Sequence, residues 1–257
     1  MTPTLYFIPL ADPLPPISIP GAPRLPGLIH AQHAAFKHSG EHQIQHASVS
    51  EFQAACQRLE TTTRSLMSKY QFPTDIVVVV VPVKSDSRFD IYDGMSGESA
   101  TEYGVEYIRV EWSHDREDRA LATITHEFAH ALRRQYDDAD DAEFAPLTHQ
   151  ILHEGLAESL VEAESGPDMV LHNGPLTSTQ WTEIADLVNC EAQGTQLTPA
   201  QEQRRTKLLE GDDKYAFGYH LVSYLLKKHI STYDALLKMD LPTFANLAVA
   251  HQSQAAP

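Results

Sequence analysis

The sequence predicts an α+β fold in which strands and helices share the first half of the chain and helices alone form the second half. Two observations support this division. The stretch from Ile76 to Val81 is an unbroken β-branched run, too short for a helix, and it indicates a buried strand. From about Asp115 onward, apolar residues recur at helical spacing and no further strand pattern follows.

The composition is that of a globular protein with a strong negative charge. Its 257 residues include 35 acidic residues against 19 lysines and arginines, a formal net charge of -16. Nucleic acid and anionic membrane surfaces both require a clustered basic face, so neither is an expected partner. Only two cysteines are present, and no bilayer-spanning run or secretory signal is visible, so we expect a cytoplasmic protein. The oligomeric state is left open.

The N-terminal segment is rich in proline and histidine. Half of the chain's 16 prolines lie in this segment, which favours irregular structure apart from a short strand from Leu5 to Leu10. His38, His42 and His46 would share one face of a helix. They could form a metal site, but a polar loop or surface helix is the favoured interpretation, because no carboxylate or cysteine joins them.

A helix and two strands are predicted next. Ser48 and Glu51 form a capping box that begins a helix ending near Tyr70. The stretch from Asp86 to Tyr103 is rich in glycine, serine and aspartate, which indicates a hairpin or a mobile loop. Partial alternation from Val105 to Trp112 predicts a second strand.

Helical stretches follow to the end of the chain. They run from Arg116 to Tyr136, Pro146 to Glu164, Ser178 to Cys190, Pro199 to Glu210 and Lys214 to His229, with two short pieces after them. Thr198 and Gln201 form a further capping box, with proline at the preferred first position. The predicted organisation is a Pro/His-rich segment (1–47), a mixed lobe (48–140) and a helical lobe (141–257).

One of these helices carries the sequence His126-Glu127-Phe128-Ala129-His130. Two histidines four residues apart project from the same side of a helix, so both imidazoles can reach one metal ion. Glu127 can then hold and deprotonate a water molecule at that ion. The helix also has an apolar stripe on its opposite side, formed by Leu121, Ile124, Phe128 and Leu132. The alternative is that the two histidines are ordinary surface residues facing water.

The following helix offers a third ligand. Glu154 and Glu158 are one turn apart, and Gly155 lies between them. A solvated acidic face is the alternative, but like charges at this spacing destabilise a helix slightly, and an interior glycine costs about 1 kcal/mol relative to alanine. A close backbone approach at a packed site would explain the glycine. One carboxylate would then bind zinc and the other would support His126 through its second ring nitrogen.

These residues resemble the gluzincin metallopeptidases. The HExxH motif followed by Glu-Gly-Leu-Ala is similar to the pattern of the zinc aminopeptidase and leukotriene-hydrolase branch, which has Asn-Glu-Gly-Phe-Ala. In size the chain is closer to an uncharacterised bacterial family of zinc-dependent proteases. The resemblance implies a zincin-like fold that binds Zn²⁺ through His126, His130 and Glu154. It also implies that Glu127 is the general base and that Glu158 supports a ligand.

A third segment, Tyr215-Ala216-Phe217-Gly218-Tyr219, resembles the Tyr-x-x-Gly-Phe segment of the aminopeptidase branch. There the tyrosine hydroxyl donates to the oxyanion, a role that the resemblance implies for Tyr215. Tyr219 and His220 are alternatives, and so is a tyrosine that only caps a helix in the core. The Gly-x-Met-Glu-Asn element of that branch has only a weak counterpart at residues 94–98, so the resemblance does not extend to aminopeptidase specificity.

The function implied by this resemblance is hydrolysis of peptide bonds through a Glu-activated, zinc-bound water, with a peptide or protein as substrate. A catalytically inactive relative that binds a partner, or a zinc hydrolase acting on a non-peptide substrate, is the alternative. We expect the helix from Ser48 to pack on the sheet, and the strand from Val105 to Trp112 to be the edge that aligns an extended peptide. The acidic run from Asp137 to Glu143 would favour basic groups on the substrate.

Overall fold

A computed structural model describes most of the chain and divides it into two units, Met1–Ala131 and Leu132–Pro257. The described residues are 3–10, 14, 16–39, 49–83, 97–102, 105–136, 146–172 and 174–255. Within them, the strands all lie in the first unit and the second unit is helical. The predicted mixture of strands and helices, with strands confined to the first half, is confirmed.

The helices of the described residues agree closely with the sequence pattern. They are α1 (Leu25–Ser39), α2 (Val49–Lys69), α3 (Glu117–Arg134), α4 (Leu147–Ser165), α5 (Ser178–Ala192), α6 (Pro199–Glu210), α7 (Asp213–Lys227), α8 (Tyr233–Leu237) and α9 (Leu241–Ala255). The bounds of α2 to α7 match the predicted ones to within two residues at each end, and the capping box of Thr198 is formed. The last helix is longer than the short piece that we expected.

A four-stranded sheet forms the centre of the first unit. Its strands are β1 (Leu5–Pro9), β2 (Ile76–Pro82), β3 (Gly97–Glu102) and β4 (Val105–Trp112), in the order β1-β2-β4-β3. β1, β2 and β4 are parallel, whereas β3 is antiparallel to β4. All seven residues of β2 are buried. Burial on both faces explains why its sequence is continuously apolar rather than alternating.

The prediction that β4 would be the edge strand is wrong. β4 lies between β2 and β3 and is paired with both. β3 lies at the edge of the described sheet, and its sequence Gly-Glu-Ser-Ala-Thr-Glu contains no β-branched apolar residue, so no strand pattern is visible there. Its antiparallel pairing agrees with the hairpin interpretation of this region, while residues 86–96 and 103 lie outside the described residues.

Helices cover both faces of the sheet. On one face, Ile29 of α1 belongs to a buried cluster with Val79 and Tyr107. On the other face, the ring of Phe52 in α2 lies 5.1 Å from that of Trp112 in β4. The predicted packing of α2 on the sheet is therefore confirmed.

The Pro/His-rich segment contributes directly to this sheet. β1 confirms the predicted short strand, and it pairs with β2 over its whole length. His38 lies at the end of α1, in agreement with the interpretation of a helix there. His42 and His46 fall outside the described residues, as does the predicted capping residue Ser48. No helix in the described part of the chain is long and apolar enough to cross a membrane.

Cys56 is a core residue of α2, as its position on the apolar side of the helix predicts. Its side chain is almost fully buried. Burial raises the pKa of the thiol from its ordinary 9.0 to about 12, and the carboxylates of Glu117 and Glu60 add to the effect.

Alkaline solution is therefore expected to destabilise the protein. The thiol of Cys56 ionises near pH 9 in the unfolded chain but only near pH 12 in the folded chain. Its contribution to the free energy of unfolding is therefore complete below pH 9 and is lost as the pH rises toward 12. The pKa of Tyr219, raised by burial and then by Glu162 to about 12, acts in the same direction. The free energy of unfolding in urea should fall above pH 9, and less steeply for Cys56→Ala. An equal slope for the variant would contradict a buried thiol.

Candidate metal centre

Helix α3 is buried on almost every side along the HExxH motif. Every residue from Ala122 to Ala129 is buried, and His126 and Glu127 are each only 8% exposed. His130 is half-buried. The alternative of two surface histidines facing water does not fit this environment, because burying polar side chains is costly unless they have partners.

The two histidines of the motif direct their rings at each other. Their Nε2 atoms are 3.1 Å apart, and the rings meet edge to face with centroids 4.8 Å apart. Two nitrogen ligands on one tetrahedral zinc ion, each about 2.0–2.1 Å from the metal, lie about 3.3 Å apart. The local geometry of α3 therefore suits a shared metal ion.

The edge strand β3 lies against this helix at Glu127. A Cβ atom at Gly97 would lie 2.5 Å from the Cγ2 atom of Thr123 and 3.1 Å from the Cγ atom of Glu127. Only a residue without a side chain allows β3 to come this close to α3. The sequence alone does not reveal this role of Gly97, because a single glycine in a polar stretch is not distinguishable from an ordinary loop residue.

Helix α4 is positioned at its N-terminus by a residue from another helix. Its N-cap residue, Pro146, makes no side-chain capping bond. Instead, the carboxylate of Glu191 in α5 accepts hydrogen bonds from the backbone N–H groups of Leu147 and Thr148, both at 2.9 Å, and from the Thr148 hydroxyl at 2.6 Å. A carboxylate at the positive end of the helix stabilises it in two ways, by satisfying free N–H groups and by opposing the helix dipole.

Helices α4 and α7 cross in backbone contact at a pair of glycines. A Cβ atom at Gly155 would lie 2.4 Å from the carbonyl oxygen of Gly218, and one at Gly218 would lie 2.4 Å from the carbonyl oxygen of Ile151. The close backbone approach predicted at Gly155 is confirmed. Because Gly155 follows Glu154 and Gly218 lies three residues after Tyr215, this crossing sets the spacing of the two predicted site segments.

Glu158 is completely buried in α4, so the solvated acidic face is ruled out for this residue. Its Oε2 atom accepts from the backbone N–H of Leu171 at 3.2 Å, and its Oε1 atom lies 3.0 Å from Nδ1 of His172. His172 has no part in the sequence prediction. The predicted support of His126 by Glu158 stays a prediction.

The three alternatives for an oxyanion donor differ in their surroundings. Tyr215 is half-buried in the first turn of α7, and the ammonium group of Lys214 lies 5.1 Å from its ring centroid. The hydroxyl of Tyr219 is hydrogen-bonded to Glu162, which together with burial raises its pKa. The Nε2 atom of His220 lies 3.1 Å from the carbonyl oxygen of Gly174.

Lys214 places a positive charge in the second unit near the predicted ligand. Its side chain is buried and its ammonium group donates to the carbonyl of Leu209. Burial lowers the pKa of Lys214, while the negative charges of Glu154 and Asp212 oppose that shift. The Glu154 carboxylate therefore lies within electrostatic reach of a cation.

The three predicted ligands are divided between the two units: His126 and His130 lie on α3 in the first unit, and Glu154 lies on α4 in the second. Two imidazoles and one carboxylate are a donor set that zinc takes in hydrolytic sites. The role of each residue as a ligand stays a prediction.

A family comparison also indicates zinc. Residues 52–246 match the model of the family described as "Predicted Zn-dependent protease (DUF2268)". The chain belongs to this family. The match begins in α2, ends in α9 and includes both the HExxH motif and the Glu-Gly-Leu-Ala segment. No curated protein and no solved structure matches the chain.

Proposed function

We propose that the chain is a zinc-dependent peptidase of the gluzincin type, in which His126, His130 and Glu154 hold the metal. The observation that carries the proposal is the 3.1 Å separation of the Nε2 atoms of the two histidines on a buried helix. The description of the family supports it. A zinc ion bound there would polarise the scissile carbonyl and make a water molecule more acidic.

Besides the metal ligands, two side chains would take part in the reaction, Glu127 and Tyr215. The Glu127 carboxylate would take a proton from the attacking water and pass it to the leaving amine. The Tyr215 hydroxyl would donate to the carbonyl oxygen of the substrate as negative charge develops there, a contribution of about 3–4 kcal/mol. Tyr215 is chosen over Tyr219 and His220 because it occupies the tyrosine position of the Tyr-x-x-Gly-Phe segment.

The edge strand β3 offers a way to align a peptide substrate. It is the edge strand of the described sheet, and an extended peptide can bind to a sheet by adding a strand at its edge. Gly97 brings its backbone against the side chain of Glu127. An extended peptide paired with β3 would therefore pass close to the proposed general base. This arrangement favours peptides over compact non-peptide substrates.

Metal removal and a peptide-library digest test the proposed function together. The protein as purified should contain one zinc per chain and cleave a subset of the library, as read by mass spectrometry. A chelator should abolish cleavage, and added zinc should restore both the metal content and the cleavage. The same samples are tested against an ester and an epoxide.

Three results would contradict the proposal. Cleavage that survives complete metal removal would exclude a zinc reaction. Bound zinc without any hydrolysis would favour an inactive relative that binds a partner. Hydrolysis of the ester or epoxide without peptide cleavage would favour a different class of zinc hydrolase.

A further inference from the structure

The buried carboxylate of Glu158 fixes the ring of His172. Glu158 is 0% exposed, and its two oxygens are bonded to the short segment that follows α4, at Leu171 N–H and His172 Nδ1. For this bond the Nδ1 atom must carry the proton and donate it to the carboxylate. A hydrogen bond to an ionised group in the interior is stronger than a neutral one, so the imidazole is held in one orientation.

The ring of His172 stacks on Tyr215. The two rings are nearly parallel, at 27°, and their centroids are 4.4 Å apart. The His172 side chain is 17% exposed, so most of the ring is covered. Its Nε2 atom lies 4.0 Å from the exposed carboxylate of Asp212, one residue before α7 begins. Both nitrogens of the imidazole are therefore next to carboxylates, while its face supports the tyrosine.

We propose that His172 is a positioning residue for Tyr215, anchored by Glu158. This proposal rests on the proposed function, since it is the Tyr215 hydroxyl that would meet the developing charge. Glu158 lies one turn after Glu154 on α4, so the same helix that supplies a predicted ligand also holds the predicted donor through His172. His172 itself touches no reacting atom in this arrangement. Its effect comes from keeping the phenol in one direction.

The expected kinetic signature is a loss of kcat that depends on Tyr215. His172→Gln keeps an N–H donor for Glu158 but removes the stacked ring, and should lower kcat about 10-fold with little change in KM, because a displaced donor stabilises the transition state less. His172→Phe keeps a stacked ring and should recover part of that loss. In a Tyr215→Phe background, His172→Gln should cause no further loss.

A second readout does not depend on activity. With ¹³C-labelled tyrosine rings, Tyr215→Phe identifies the NMR signal of Tyr215 by its disappearance. That signal should move in His172→Gln, because the ring that stacks on it is gone. The matched control is His251→Gln, which removes a different histidine ring, 6.2 Å from Tyr224, and should leave both the Tyr215 signal and kcat unchanged.

The possible outcomes distinguish a failure of the positioning role from a failure of the proposed function. An unmoved Tyr215 signal in His172→Gln, additive losses of kcat, or His172→Phe no more active than His172→Gln would overturn the positioning role. If Tyr215→Phe keeps full kcat while metal removal abolishes cleavage, the peptidase stands and the positioning role fails. If metal removal leaves cleavage intact, the proposed function fails, and the NMR signal still decides whether His172 holds the tyrosine.

Discussion

Glu127→Gln is expected to lower kcat for peptide cleavage by about 1,000-fold while the protein still binds one zinc per chain. The amide has nearly the shape of the carboxylate but cannot take a proton, and a positioned general base contributes about 10²–10⁴-fold. Glu127 is not one of the three predicted ligands, so the metal content should not change. Steady-state kinetics on a library-derived peptide and elemental analysis on the same samples measure both quantities.

A matched control is available on the same helix. Glu117 lies at the start of α3 and is paired with Arg58, away from the HExxH motif. Glu117→Gln removes one negative charge, as Glu127→Gln does, and should leave kcat unchanged while lowering the melting temperature slightly. If Glu127→Gln retains zinc and cleaves at the normal rate, Glu127 is not the base and the proposed reaction fails.

The parts of the site that sequence predicts are those fixed by local geometry. The HExxH spacing equals one helical turn, so the two histidines face the same way wherever the helix packs. Gly155 is informative for a similar reason. A glycine destabilises a helix interior, and its presence indicates a close contact, here with Gly218.

The parts that the sequence missed or left open have no apolar pattern of their own. β3 has a polar, glycine-containing sequence because it lies at the edge of the sheet, and an edge strand needs few apolar residues. His172 follows a short 3₁₀ turn, Pro167–Met169, where no periodic pattern exists. Its importance comes from Glu158, 14 residues away, and from Tyr215, on another helix. Neither contact has a signature in the sequence.

Gly155→Ala is expected to destabilise the helical unit by about 1–2 kcal/mol. The added Cβ atom would lie 2.4 Å from the carbonyl oxygen of Gly218 and 2.6 Å from its carbonyl carbon. Both are backbone atoms, so no side-chain rotation relieves the clash, and the two helices must separate. Overpacking of this kind costs about 1–3 kcal/mol, occasionally more, and it outweighs the gain of up to about 1 kcal/mol from replacing a helical glycine by alanine.

The comparison that isolates the clash is Gly27→Ala. Gly27 also lies in a helix, α1, but a Cβ atom there would meet nothing within 4 Å beyond its chain neighbours and the backbone of its own helix. That variant should be unchanged or up to about 1 kcal/mol more stable, because only the helix preference acts. Urea unfolding followed by circular dichroism measures both variants. Equal stability changes at the two positions would show that α4 and α7 do not cross as tightly as the glycine pair requires.

Separation of these helices should also weaken zinc binding and slow the reaction. Gly155 is the neighbour of Glu154, and Gly218 lies three residues from Tyr215, so a shift at the crossing moves the predicted ligand and the predicted donor relative to each other. For Gly155→Ala protein that remains folded, we expect weaker zinc binding and a lower kcat, whereas Gly27→Ala should change neither. A folded Gly155→Ala protein with normal kcat would mean that α4 and α7 act independently in catalysis, and Tyr215 would then lose its assignment as the donor.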